Sequence, residues 1–105
     1  VGRDDDVITS AGYRIGPGPI EDCLTSHPSV TLAAVIGKPD RDRTEIVKAY
    51  VVLREGLDEN EKLSDELKAW VRHRLAKHEY PREIEFVSDL PKTNTGKIIR
   101  RILRT

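Results

Sequence analysis

The residue types best suited to chemistry in this chain of 105 residues are gathered in Pro91-Lys92-Thr93-Asn94-Thr95-Gly96-Lys97. Two hydroxyl side chains and a glycine shape a tight loop, and Lys97 leaves that loop on a long stem. A lysine so placed can bridge two anionic reactants and stabilise charge as they join. The spacing invites comparison with a phosphate-binding P-loop, but the comparison fails. That motif needs glycine where Pro91 stands and Ser or Thr after the lysine, where Ile98 stands. Spacing alone favours a plainer reading, a capped helix start with a surface lysine.

Other candidate centres fade. His73 and His78 are five apart, so on a helix they do not share a face as metal ligands four apart would. His27 stands beside Pro28 at an expected helix end, and no Ser–His–Asp arrangement can be read. Cys23 is the only cysteine and lies on an apolar helical face, which reads as core. It can form no internal disulfide and no paired CxxC zinc site, which suits a reducing, cytoplasmic-type compartment. There is no apolar run of ~18 residues or more, so no membrane span is expected. Val1-Gly2-Arg3-Asp4 lacks the basic-then-apolar pattern of a secretory signal.

Net charge is zero but unevenly spread. Asp4, Asp5 and Asp6 crowd the start, whereas Lys92, Lys97, Arg100, Arg101 and Arg104 leave the last stretch wholly positive. Such a tail can be a solvated basic helix, or it can hold a phosphate ester, a nucleic acid or an acidic protein face.

The positioning elements follow from periodicity. Val7-Ile8-Thr9 and Tyr13-Arg14-Ile15 read as a hairpin with Gly12 free to take positive φ, and its small apolar content predicts weak anchoring. Pro19, Ile20, Cys23 and Leu24 open a helix that Pro28 stops. Val30 to Ile36 and Ile46 to Leu53 read as buried strands, with a polar loop from Lys38 to Arg43. Leu63, Leu67, Trp70 or Val71, Leu75 and His78 form a helical stripe, with Asp65 and Glu66 in the first turn and Lys77 and His78 in the last. Ile84, Phe86 and Val87 give a third strand. Ile98, Ile99, Ile102 and Leu103 give a final helix its apolar face. The predicted fold is one α+β domain: a small three-stranded sheet flanked by helices and preceded by a two-stranded hairpin.

Three segments in order resemble the C-terminal motifs of the adenylate-forming superfamily. They are Gly2-Arg3-Asp4-Asp5-Asp6-Val7-Ile8, Gly12-Tyr13-Arg14-Ile15-Gly16-Pro17, and Leu90-Pro91-Lys92-Thr93-Asn94-Thr95-Gly96-Lys97-Ile98-Ile99-Arg100-Arg101. The superfamily includes acyl-CoA synthetases, peptide-synthetase adenylation domains and luciferases. The resemblance identifies the chain as the mobile C-terminal domain of an AMP-forming acyl-CoA synthetase, inactive without its larger N-terminal domain.

The resemblance implies a two-step ligation. A carboxylate attacks the α-phosphate of ATP to give acyl-adenylate, and the thiol of CoA then displaces AMP. ATP and CoA are substrates, and Mg2+ would be held by the absent domain. Lys97 matches the adenylation lysine, Asp5 the hinge, and Arg3 an arginine that helps hold the nucleotide. Ala11, Gly12, Tyr13 and Arg14 match the hairpin turned inward for thioester formation, where a glycine leaves room for the pantetheine arm.

Gly-Tyr-Arg-Ile-Gly-Pro and Glu79-Tyr80-Pro81-Arg82 look most like medium-chain and aromatic acyl-CoA synthetases. In that branch Arg43, Arg72 and Tyr80 fall where CoA contacts lie. Two departures from the family pattern stand out: Pro19 replaces a usual Glu, and Thr44, beside Arg43, replaces a usual Gly. The expected partners are the missing N-terminal domain, ATP, CoA, a carboxylic acid and a lysine acetyltransferase acting on Lys97, with no nucleic acid. The expected location is cytoplasmic, or the mitochondrial matrix in a eukaryote. Two other readings stay open: an adenylation domain serving a carrier protein, and a stand-alone module binding CoA or another polyanion.

Overall fold

A computed structural model describes residues 7–96 and 99–103. The chain opens with a tight hairpin of β1 (Ile8–Ser10) and β2 (Tyr13–Ile15). Its two-residue connection has φ of 50° at Ala11 and 86° at Gly12, the primed turn whose twist matches that of paired strands. Ile8 and Ile15 face each other in register and are both 1% exposed. Two isoleucines facing inward are enough to anchor the hairpin, which corrects the expectation of weak anchoring.

Helix α1 (Pro17–Thr25) starts on Pro17, where a missing N–H costs no hydrogen bond. Pro17, Ile20, Glu21 and Leu24 are buried, a spacing that gives one helical face. Strands β3 (Val30–Asp40) and β4 (Thr44–Leu53) pair antiparallel from Val30↔Leu53 to Asp40↔Thr44. They run further than expected, so the polar loop shrinks to residues 41–43. Pro39 is tolerated inside β3 because β3 is the outermost strand on its side of the sheet.

Helix α2 (Glu61–Arg74) is capped by Asn60, whose Oδ1 accepts the amide N–H of Leu63 at 2.8 Å. Glu61, rather than Asp65 or Glu66, is the acidic residue of its first turn. The helix ends before His78 because Leu75 turns extended, and Lys77–Glu79 form a separate 3-10 turn. β5 (Glu83–Phe86) then pairs parallel to β4, from Lys48↔Glu83 to Val51↔Phe86. A short α3 (Arg100–Leu103) ends the described chain.

The predicted three-stranded sheet is therefore β3-β4-β5, and the hairpin extends it through one pair, Ser10↔Thr44. One sheet face carries Ala33 and Val35 of β3 and Val47, Ala49 and Val51 of β4. These pack with Ile20 and Leu24 of α1 and Leu67 and Val71 of α2 into a single core. Burying each of the valine, isoleucine and leucine side chains contributes about 1.5–3 kcal/mol.

Behind the sheet, Lys48 sits between Glu83 (3.2 Å) and Glu85 (3.1 Å), while Lys38 reaches Glu83 at 2.9 Å. Burial by itself would lower the Lys48 pKa, but hydrogen bonds with Glu85, Tyr50 and Glu83 outweigh it and hold the ammonium charged well above its ordinary range. The hydrogen bond from Lys38 leads the causes that hold the Glu83 carboxyl below the usual carboxylate range.

Candidate functional site

Strand pairing carries the expected binding residues to one end of the sheet. Ala11 donates its amide N–H to the Arg43 carbonyl at 2.9 Å, so the hairpin tip rests on the β3–β4 turn. That turn is built locally. The Asp40 carboxylate accepts the amide N–H groups of Asp42 (3.1 Å) and Arg43 (3.0 Å), the side-chain-to-backbone closure that aspartate favours in turns. Thr44 follows at φ 75°, a left-handed conformation that is costly for a β-branched residue. The glycine that the family resemblance leads one to expect at this position would avoid that strain.

A second link fixes the hairpin. Glu45 accepts the amide N–H of Thr9 at 2.9 Å through Oε1. The Glu45 carboxylate lies where a side chain on Gly37 would sit, since a Cβ there would come within 2.7 Å of it. Glycine on β3 thus leaves the space through which a β4 side chain holds β1.

A third link is aromatic. Tyr13, which is 51% exposed, stacks on His78 with centroids 4.0 Å apart and planes 8° from parallel. The hairpin is thereby tied to the 3-10 turn that leads into Tyr80. The Tyr80 ring receives Arg72 from α2 at 5.7 Å and Arg82 at 5.4 Å, both over its face.

Ala11, Gly12, Tyr13, Arg14 and Arg43 therefore converge, and Arg72 and Tyr80 meet each other across the neighbouring turn. Among the described residues, Arg14, Arg43 and Arg72 enter no ion pair, so their charges remain available to an anion. Gly12 has nothing within 4 Å of its would-be Cβ, which leaves the hairpin tip open to a narrow chain.

The lysine loop is a separate site. Leu90 is buried, and the loop neck is closed by a hydrogen bond from the Ile99 amide N–H to the Pro91 carbonyl at 2.9 Å. Inside it, Gly96 donates its amide N–H to the Thr93 carbonyl at 2.9 Å and takes φ 85°. The Thr93 and Thr95 hydroxyls share a hydrogen bond of 3.0 Å. At the loop entry the Leu90 amide N–H first, and then Lys92, hold the Asp89 carboxyl below its ordinary range. Arg3, Asp5 and Lys97 lie outside the described residues.

The hairpin and the lysine loop rest on different elements, the hairpin on the β3–β4 turn and Glu45, the loop on its own neck from Pro91 to Ile99. Among the described residues no group of three His, Cys, Asp or Glu side chains could hold a metal ion. No described helix is long and apolar enough to cross a membrane. Cys23 is a half-buried free thiol whose pKa is raised by burial, with Arg74 opposing.

Sequence reading missed His78 as the support of Tyr13, Glu45 and Asp40 as the residues that set the hairpin and its neighbouring turn, and Gly37. Spacing holds no signal for His78, Glu45 and Gly37, because each acts across strands or between distant elements; Asp40 closes its turn locally, and the aspartate at the head of Asp40-Arg41-Asp42-Arg43 was the signal that could have found it. Only Thr44, as a departure from a family glycine, pointed to a special backbone position.

The α+β domain with its lysine loop falls in the class of C-terminal domains of AMP-binding enzymes. Residues 19–97 match the family described as AMP-binding enzyme C-terminal domain, and the chain belongs to it. It is 52% identical over 103 residues to the acetyl-coenzyme A synthetase of Bacillus subtilis, covering 98% of this chain and 18% of that protein. It is 50% identical over 106 residues to a mitochondrial acyl-coenzyme A synthetase of Mus musculus, covering 99% of this chain and 18% of that protein. The crystal structure of a Brucella canis acyl-CoA synthetase superimposes with a TM-score of 0.93 at 55% identity, covering 99% of this chain and 19% of that one. The chain thus spans about a fifth of the length of the relatives it matches.

Proposed function

We propose that this domain serves an acid–CoA ligase that activates a carboxylic acid, fatty or aromatic, with ATP to acyl-AMP and then forms acyl-CoA. The observation that supports the reading is the presence of two chemically distinct candidate sites on one core. One is a loop whose sequence ends in Lys97; the other is an open hairpin flanked by arginines that enter no ion pair among the described residues, and by an aromatic ledge. A two-step ligase needs a cation at the carboxylate and α-phosphate in the first step and a CoA path in the second.

In this reading Lys97 stabilises the charge that builds between carboxylate and α-phosphate. Arg3 helps to hold the nucleotide. Asp5 is the hinge about which the domain turns between steps. Ala11, Gly12, Tyr13 and Arg14 then line the CoA path, with Gly12 leaving the pantetheine arm unobstructed. Arg43, Arg72 and Tyr80 serve the nucleotide end of CoA, the arginines by bidentate contact with phosphates. Mg2+ on the ATP phosphates would be held by the remainder of the polypeptide. The names of the acetyl- and acyl-coenzyme A synthetase relatives support the reaction class and leave the acid open.

The test uses the full-length enzyme with the two steps assayed apart: pyrophosphate release for adenylation, and consumption of preformed acyl-AMP for thioester formation. Arg14→Ala should raise the KM for CoA about tenfold or more, as loss of a charge-assisted phosphate contact does. Adenylation should stay within about twofold of the parent, below half a kcal/mol in barrier. Equal losses in both steps would end the assignment of the hairpin to CoA. The alternative of a carrier-protein partner predicts that Arg72→Ala leaves CoA use intact.

A further inference from the structure

We propose that Glu21 and Arg100 form a positioning pair that sets the lysine loop for adenylation, a role that rests on the ligase reading above. Arg100 is the first residue of α3 and follows the loop neck directly. Its guanidinium meets the Glu21 carboxylate in a two-pronged contact, Nε to Oε2 at 2.9 Å and Nη2 to Oε1 at 2.5 Å. Such a fork fixes angle as well as distance.

Glu21 is itself immobilised. It is 9% exposed on the buried face of α1, and its Oε2 also accepts the Val35 amide N–H at 2.8 Å. Val35 lies on β3, on whose outer side no described strand supplies that acceptor. One carboxylate therefore joins three elements: α1, the sheet edge and the start of α3.

The lysine loop needs this support. Its residues 92–96 are exposed, so packing does not hold them. A helix of four residues cannot hold itself either, because nucleation costs more than so few hydrogen bonds return. The fixings on the C-terminal side of the loop include the neck bond from Ile99 to Pro91, the Glu21–Arg100 fork, and a Tyr50 hydroxyl that donates to the Leu103 carbonyl at 3.3 Å. Of these the fork alone is charge-assisted and runs into the core. Lys97 stands three residues before Arg100, so loss of the fork frees the loop at the side nearest the lysine.

The hairpin is held by different residues, Glu45, Arg43 and His78. The pair should therefore govern one step and not the other. Glu21→Gln keeps an oxygen for the Val35 amide while losing the charge. Arg100→Lys keeps the charge while losing the fork.

In the full-length enzyme each variant should slow adenylation about 10- to 100-fold, the scale of a displaced catalytic group. The KM for ATP and thioester formation from preformed acyl-AMP should stay within about twofold. The Ile99 amide should exchange with solvent at least about tenfold faster, while the Val51 amide in the core keeps its rate. Equal slowing of both steps, or unchanged adenylation, would overturn the proposal. Should Glu21→Gln lower the melting temperature enough to obscure kinetics, Arg100→Lys with the same assays decides.

Lys97→Ala is measured alongside. If it abolishes adenylation while both pair variants leave it intact, the positioning role alone fails. If Lys97→Ala leaves adenylation intact, the ligase reading fails and the pair's role falls with it.

Discussion

The ring of Tyr13 lies flat on the imidazole of His78, 4.0 Å between centroids and 8° between planes, and so joins the hairpin to the turn after α2. A stacked pair of this kind stabilises by about 0.5–1.5 kcal/mol beyond its buried area. With one face covered by His78, Tyr13 is held in place while it remains half exposed on the proposed CoA side. His78→Ala should therefore raise the KM for CoA about two- to tenfold in the full-length enzyme, and His78→Phe should restore it. Steady-state kinetics with CoA varied at saturating ATP and acid would check this.

Thr44 occupies a left-handed backbone position at φ 75° opposite Asp40. A side chain there costs about 1–2 kcal/mol, which glycine avoids. Thr44→Gly should stabilise the domain by about 1 kcal/mol, partly offset by the greater freedom of glycine in the unfolded chain. The melting temperature should rise by up to about 4–8 °C in a thermal scan. A fall would show that the threonine side chain contributes more than the backbone strain removes.

Gly37 and Glu45 act as one unit, because the glycine leaves the space from which the carboxylate reaches Thr9. Gly37→Ala displaces that carboxylate and Glu45→Ala removes it. Each should destabilise by about 1 kcal/mol, the net contribution of such a hydrogen bond. The double variant should lose little more than either alone, and denaturant titration of the three variants would show it.

Stability should depend on pH through Lys48 and Glu83. The folded-state pKa of Glu83 is lowered, so its contribution is present above the ordinary carboxylate pKa of about 4.3 and is lost as pH falls through the lower folded value. The folded-state pKa of Lys48 is raised, so its contribution is complete below the ordinary lysine value of about 10.4 and is lost as pH rises through the higher folded value. Stability should form a plateau between these limits. Glu83 is 37% exposed, which screens the interaction and keeps its share to about 1 kcal/mol or less. Glu83→Gln should flatten the acid limb of a melting curve measured against pH.

Local pattern was legible wherever one short segment decides the outcome. The turn at Gly12, the valine-rich strands and the stripe of Leu63 and Leu67 read correctly from spacing, whereas α1 starts at Pro17, two residues before the expected Pro19, and of Trp70 and Val71 it is Val71 that is fully buried. The end of α2 did not, because Leu75 and His78 continue the apolar stripe in sequence although the backbone has already turned. Anchoring of the hairpin was missed for a similar reason. Two isoleucines look sparse in a list of residues, yet strand register places them opposite each other against the core. The partners of the proposed binding residues were illegible as well. Glu45 reaches β1 from β4, His78 reaches Tyr13 across most of the chain, and Glu21 meets Arg100 from the other end. No local periodicity encodes such long-range meetings.

Lys97→Ala in the full-length enzyme tests the account most directly, with acyl-AMP formation and thioester formation from preformed acyl-AMP measured separately. Loss of an electrostatic stabiliser predicts a fall in the first rate of about 10²-fold or more, while the second remains within about twofold. An unchanged first rate, or two rates that fall together, would contradict it.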